Sequence, residues 1–239
     1  MELTFLSVQA TYAHVQIALF RKDICIDIIS EQDARASSHL IPYFDKILKR
    51  NSLGIEDLNF IAIDRGPGAF TSLRTAVATI NGIGLTHKVS VLGIDSLNAL
   101  MRDVVQSVKA QSLAAQSATI VTLLNAYNND VYFAIAKTEA KPVSGYKKID
   151  ALLADLKADS VQKFIFAGNG ASLHKELIAN TLGSKNIHHL DQETATAQSI
   201  AFLALERYQQ GDTSCYRIEP NYVKSQYFAI QKPFNVPQI

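Results

Sequence analysis

Apolar and polar positions along this chain fall into blocks whose period changes from one block to the next. Leu3 to Val8 is a near-continuous apolar run rich in β-favouring residues, which predicts a central strand. His14 to Phe20 alternates, with Val15, Ile17 and Leu19 on one face. Ile24, Ile26 and Ile28 mark a third strand after the polar turn Arg21-Lys22-Asp23. Short turns between the three predict an antiparallel meander. Leu40, Phe44, Ile47 and Leu48 then recur at helical spacing, with Ser37 or Ser38 as cap and Pro42 near the first turn. Leu58 to Ile63 and Val89 to Ile94 read as strands, each followed by a helix, the second capped by Asp95.

A polar, small-residue stretch from Lys109 to Ser117 separates this first block from a second that partly repeats it. Strands are expected at Thr119 to Leu124, Val131 to Lys137, Lys163 to Ala167 and Asn186 to Leu190. Helices are expected at Ala151 to Leu156, Ala171 to Leu182 and Thr194 to Gln210. Two units that open on strands and then alternate helix and strand predict a duplicated α/β architecture, divided into residues 1–109 and 110–239.

Composition narrows the class. The 239 residues are 48% hydrophobic and 19% charged, ordinary values for a folded chain with a real core. A net charge of +1 carries no large field of the kind that marks a direct, high-affinity nucleic-acid binder. Cys25 and Cys215 lie far apart, and Cys25 sits in an apolar strand pattern, which reads as reduced, buried thiols in a cytoplasmic protein. No apolar run approaches membrane-spanning length, and the first residues lack the basic start of a signal peptide.

The segment between the fourth and fifth strands carries the most information. Ile61-Ala-Ile-Asp64 is a strand, Arg65-Gly-Pro-Gly68 a tight turn, and Phe70 to Leu85 a helix apolar or small on nearly every side. A strand, glycine turn and helix can present backbone N–H groups to an anion, here at Ala69 to Ser72 with Arg74 one turn further. The same glycines also suit a purely structural bend. No Gly-Lys-Ser/Thr follows, so this is not a phosphate-binding P-loop, and a third glycine at dinucleotide spacing is missing. In the helix, Leu73, Val77, Ile80 and Gly84 form a core-facing stripe. Thr71, Thr75, Ala78, Gly82 and Leu85 form a second, weakly polar face. Two glycines inside a helix cost on the order of 1 kcal/mol each relative to alanine, and close approach of another helix, in this chain or a partner, is the usual compensation.

Catalytic chemistry is sparse. The six histidines (His14, His39, His87, His174, His188, His189) include no i, i+4 pair, so no metal site is expected. No nucleophile elbow and no cysteine in a catalytic setting is visible. Asp64, at a strand end before the turn, is either a reactive group or a turn cap, and Asp130 reads as turn chemistry. Where a Mg²⁺-dependent ATPase needs an acid at the end of its first strand, this chain has Gln9.

Arg65-Gly-Pro-Gly-Ala-Phe-Thr-Ser-Leu-Arg74, with the small-residue helix behind it, closely resembles the Gly-Pro-Gly-Ser-Phe-Thr-Gly-Leu-Arg signature of the bacterial TsaB (YeaZ) family. Ser38 to Pro42, Gly93 to Leu97, Val131-Tyr132, Ala167 to Gly170 and Pro220 to Lys224 add weaker matches along the whole chain. The resemblance implies two ribonuclease-H-like lobes of the actin, sugar-kinase and chaperone-ATPase superfamily. It implies a non-catalytic subunit of the machinery that makes threonylcarbamoyladenosine at position 37 of tRNAs reading codons that begin with A. The implied partner is a TsaD-like transferase, joined by a TsaE-like ATPase, with tRNA engaged indirectly and a homodimer when the partner is absent. The family pairs through helices of its first lobe, which carries over here to Leu40, Phe44, Phe70, Thr71, Arg74, Thr75, Ala78, Gly82 and Leu85.

Two departures bear on cofactors. The family's Asp-Thr-Ser-Thr after the first strand is Gln9-Ala10-Thr11-Tyr12 here, and its Asp-Ala-Arg-x-Gly-Glu-Val-Tyr is Asn125-Ala-Tyr-Asn-Asn-Asp130-Val-Tyr. A residual anion or nucleotide turn would rest on Gly66, Gly68, Thr11 and Asn125. No cofactor is therefore expected for this chain alone, ATP or ADP entering only at a joint interface with the partner. The competing readings are a small-molecule kinase or ATPase of the same superfamily, and more weakly a glycoprotease-like peptidase.

Overall fold

The computed structural model of the chain describes residues 2–32, 39–110, 118–137, 141–158, 163–212 and 215–223. The expected caps Ser37 and Ser38 lie outside the described residues, as does most of the expected linker before Ala118.

Strands β1 (Thr4–Gln9), β2 (His14–Arg21), β3 (Ile24–Gln32), β4 (Phe60–Asp64) and β5 (Ser90–Ile94) form one sheet in the order β3-β2-β1-β4-β5. β1, β2 and β3 pair antiparallel, and β1, β4 and β5 run parallel. Strands β6 (Thr119–Asn125), β7 (Asp130–Lys137), β8 (Val143–Lys148), β9 (Phe164–Ala167) and β10 (Ile187–His189) form the second, ordered β8-β7-β6-β9-β10. Its meander is again antiparallel and its last two strands again parallel to β6. The two sheets share one topology, so the α/β, ribonuclease-H-like duplication is present in the fold. The central strands are apolar on consecutive residues because helices cover both faces of the first sheet, as in parallel α/β sheets generally.

Helices α1 (Leu40–Arg50) and α2 (Phe70–His87) cover the outer face of the first sheet. Leu40, Phe44, Ile47, Leu73, Val77 and Ile80 close a core there over Leu6, Val8, Ile61 and Ile63. α4 (Ile149–Ala158) and α6 (Lys175–Leu182) do the same for the second sheet. Between the sheets lie α3 (Ser96–Ala110) and α7 (Ala197–Gln209), and here the halves exchange elements. α3 follows β5 yet packs on β6 and β7, while α7 packs on β1, β2, β4 and β5. Phe5, Phe20 and Phe60 stack in this middle layer, and Phe60 stacks in turn on Tyr208 of α7. Asp103 of α3 accepts hydrogen bonds from Thr196 N (2.8 Å), Thr196 Oγ1 (2.9 Å) and Ser199 Oγ at the start of α7.

Three sequence expectations need correction. The strand β8 is missing from the pattern reading because it is an edge strand with exposed or half-buried positions throughout and a glycine at Gly145. The single helix expected from Ala171 to Leu182 is two, the short α5 (Asn169–Leu173) and then α6, broken at His174. Cys25 and Cys215 are exposed, not buried: Cys25 lies on β3, an edge strand whose first five residues include Ile24, Ile26 and Ile28, all exposed.

Candidate functional site

The turn before α2 is held by one carboxylate. Asp64, fully buried at the end of β4, accepts from Gly66 N at 2.8 Å, from Thr11 Oγ1 at 3.0 Å and from Ser96 Oγ. It thereby ties the β1–β2, β4–α2 and β5–α3 connections together. Burial pushes its carboxyl up to about 6, against the hydrogen bonds from Ser96, Gly66 and Thr11, which pull it down. Gln9 supports Thr11, donating to Thr11 Oγ1 at 2.9 Å, and its own Oε1 is buried without a partner. Gly66 takes φ 95°, and a Cβ there would lie 2.7 Å from Leu73 Cδ2, so the turn needs glycine for its own packing.

The side chains expected to help hold an anion are engaged inside the chain. Thr11 gives its hydroxyl to Asp64. Asn125 accepts from Tyr127 N through Oδ1 (2.8 Å), donates its backbone N–H to Asn169 Oδ1 (2.8 Å) and accepts from Tyr12 Oη through its carbonyl (2.8 Å). Arg74 is held by two aromatic side chains. Its guanidinium lies 3.5 Å over the Phe70 ring centroid, and its Nε donates to Tyr222 Oη at 2.8 Å. Gly68 lies against Thr11 and Tyr12, and the Tyr12 hydroxyl reaches Asn125, while Gly66 packs on Leu73 beside Asn221. Among the described residues, no group of three or more metal-ligating side chains exists.

The two faces of α2 differ as the helical spacing predicts. Leu73, Ala76, Val77, Ile80 and Gly84 face the sheet, whereas Thr71, Arg74, Ala78, Gly82 and Leu85 are exposed, with Phe70 and Thr75 half-buried. Leu85 is 56% exposed, and among the described residues nothing lies within 4 Å of where a Cβ on Gly82 would stand. Gly84 is the opposite case: a Cβ there would lie 2.6 Å from both Tyr216 O and Val91 Cγ2. The cause is a strap, residues 215–223, that returns from the second half. Val91 N donates to Cys215 O, Asn81 exchanges hydrogen bonds with the Ile218 backbone, and Asn221 N donates to Arg65 O.

Leu40 and Phe44 do not join the exposed face. Both are buried in the outer core of the first sheet, because the only apolar stripe of α1 is the one that the sheet claims. The exposed apolar residue of α1 is Ile41, 63% exposed beside Pro42, and its position outside the i, i+4 stripe is the signal that could have found it. α1 packs alongside α2.

The model of the TsaD family, tRNA N6-adenosine threonylcarbamoyltransferase, matches residues 28–231. Curated relatives carry the name tRNA threonylcarbamoyladenosine biosynthesis protein TsaB. That of Buchnera aphidicola subsp. Schizaphis graminum is 25% identical over 169 residues, 69% of this chain and 78% of the relative. That of Bacillus subtilis is 23% identical over 212 residues, 86% of this chain and 88% of the relative. The chain belongs to the TsaB (YeaZ) family, within the reach of the TsaD model. The fold agrees. A solved structure of YeaZ from Pseudomonas aeruginosa superposes with a TM-score of 0.71 at 19% identity, covering 92% of this chain and 99% of that one. A second, titled as a protein with similarity to peptidase YEAZ from the same organism, gives 0.72 at 19% identity and covers 93% and 100%. Family membership covers both the Gly66–Gly68 turn and α2, which lie inside the matched residues. Among the described residues no helix is long and apolar enough to cross a membrane.

Proposed function

We propose that the chain is a non-catalytic pairing subunit in the formation of threonylcarbamoyladenosine on tRNA, working in the cytoplasm with a TsaD-like transferase. The observation that carries this reading is the outward face of α2. It runs Thr71, Thr75, Ala78, Gly82, Leu85, small and weakly polar until Leu85, with open space over Gly82. A helix glycine costs about 1 kcal/mol relative to alanine, and nothing among the described residues offsets that loss at Gly82. A partner helix laid along the same face would offset it, with Leu85 and Ile41 as apolar contacts at its margins.

The absence of a catalytic role is inferred from the commitments at the strand ends. Gln9 is a neutral amide where Mg²⁺ chemistry needs a carboxylate, and the oxygens of Asp64 already accept three hydrogen bonds. A nucleotide, if one takes part, enters at the joint surface with the partner. A TsaE-like ATPase completes the assembly, tRNA is engaged through the complex, and the same face supports a homodimer when the partner is absent.

Mixing the purified chain with the TsaD-like subunit of the same genome and measuring the mass of the product tests the reading. A stable heterodimer with threonylcarbamoylation activity is expected, with no turnover of ATP by the chain alone. Full activity of the TsaD-like subunit without this chain, or hydrolysis of Mg·ATP by the chain alone, overturns it.

A further inference from the structure

The carboxyl ends of four parallel strands, β1, β4, β6 and β9, meet around one crevice between the two sheets, the place where α/β sheets collect ligands. Here a side chain of the protein itself stands in the middle. Tyr12, on the connection from β1 to β2, packs its ring against the inter-sheet core and donates its hydroxyl across the crevice to Asn125 O at 2.8 Å. A ring carbon of Tyr12 lies 3.7 Å from where a Cβ on Gly68 would stand. On one side is a polar cavity of about 500 Å³ that Tyr12 lines together with Asn169 and Thr194. A slot of about 190 Å³ lies beside Gly68, against which the Tyr12 ring packs, with Tyr127 and Tyr132 among its walls.

The backbone on both sides of this contact is held in costly conformations. Tyr12 has φ 61°, and the turn it reaches has three consecutive left-handed residues, Tyr127 (59°), Asn128 (56°) and Asn129 (61°). Left-handed non-glycine residues persist where the surroundings over-determine them, and they gather at clamps and switches. Burial, with help from the neighbouring Tyr127, Tyr132 and Asp64, holds the Tyr12 phenol well above the usual tyrosine range, so it stays a neutral hydrogen-bond donor.

We propose that Tyr12 is a built-in occupant of the crevice: its ring fills the volume of a planar aromatic ligand, and its hydroxyl latches the mouth of the two sheets. The base of the crevice is closed by the exchanged helices α3 and α7, and Tyr12 closes the top. A phenol-sized aromatic ring is thus the ligand chemistry that the crevice accepts, and the wild-type chain supplies it internally. This inference concerns the chain alone and is independent of the pairing reading.

The experiment uses the full chain, with amide hydrogen exchange and thermal melting as readouts and p-cresol as the probe. Tyr12→Phe keeps the ring and loses the latch. Exchange at Ala126 to Val131 is expected to rise about threefold to tenfold, the range set by one net hydrogen bond. Tyr12→Ala is expected to melt at lower temperature and to speed exchange at both Ala126 to Val131 and Gly168 to Ala171. Saturating p-cresol should restore Tyr12→Ala toward wild type and leave wild type unchanged, and the aliphatic 4-methylcyclohexanol should restore less. Equal p-cresol effects on wild type and Tyr12→Ala overturn the occupant reading, as does the lack of any effect on a folded Tyr12→Ala. Unchanged exchange at Ala126 to Val131 in Tyr12→Phe overturns the latch, whether or not Tyr12→Ala folds.

Discussion

Gly82 and Gly84 stand two residues apart on α2, on opposite sides of the helix, and each carries the same intrinsic cost. At Gly84 the missing side chain lets the returning strap and Val91 approach to distances that no Cβ permits. At Gly82 the missing side chain faces open space. Among the described residues one glycine is therefore explained inside the chain and the other is not. The comparison separates two roles that composition alone leaves merged: α2 is at once a core helix and a surface that waits for something. The same contrast holds between α1 and α2, since the single apolar stripe of α1 is consumed by the sheet while α2 keeps a second face in reserve.

Four perturbations break or sharpen this contrast. The largest effect is expected from Phe44→Ala: truncating a buried aromatic in the outer core should cost about 4 kcal/mol in urea unfolding of the isolated chain. A loss under about 1 kcal/mol with reduced pairing would instead return Phe44 to the partner surface. Next comes Gly82→Leu or Ala78→Glu, expected to weaken pairing with the TsaD-like subunit by about 100-fold, or ~3 kcal/mol, with little change in monomer melting. Retained complex mass in both variants removes α2 from the interface.

Gly84→Ala should destabilise the monomer by about 2 kcal/mol through overpacking against the strap, whereas Gly82→Ala should stabilise it by about 0.5–1 kcal/mol through helix propensity. Equal effects of the two in one melting series would erase the distinction on which the pairing reading rests. The smallest signal is a pH dependence. Asp64 sits at about 6 in the fold against 3.8 for the ordinary carboxyl, so the native state holds its proton more tightly than the unfolded chain does. Its contribution is full below 3.8 and is lost as pH rises through about 6, up to about 3 kcal/mol in the limit and about 0.7 kcal/mol between pH 5.5 and 6.5. Asp95 and Asp103, also raised by burial, tilt in the same direction, so the diagnostic quantity is the difference between wild type and Asp64→Asn. A difference in urea midpoint that stays flat from pH 5 to 7.5 would mean that Asp64 does not titrate there.

Much of the fold was legible because fully covered strands must be apolar on consecutive residues. Leu3 to Val8, Ile61 to Ile63, Thr119 to Leu124 and Phe164 to Ala167 announce themselves in that way. β8 was not, since an edge strand owes little to burial and its residues carry no clear period. The reserve face of α2 was readable from its spacing. The inward turn of Leu40 and Phe44 should have been readable too: a helix with one apolar stripe on a folded chain gives that stripe to the core. Tyr12 carried no local signal, because its neighbours Asn125, Gly68 and Tyr132 come from three other connections and strands. The exchange of α3 and α7 was equally hidden, being a matter of which sheet a helix chooses rather than of its own sequence.

That exchange sets a schedule for synthesis. Phe5, Phe20 and Phe60 leave the ribosome early, but the helix that covers them begins at Ala197, whose carbonyl receives Ser7 Oγ at 2.6 Å. α3, made before the second sheet exists, has its face ready for β6 and β7 before either strand has been translated. Each half is thus born incomplete, and the nascent chain carries an uncovered aromatic layer until α7 emerges. Closure of this middle layer waits for α7, and an apolar layer left uncovered in the meantime is a site for aggregation and proteolysis.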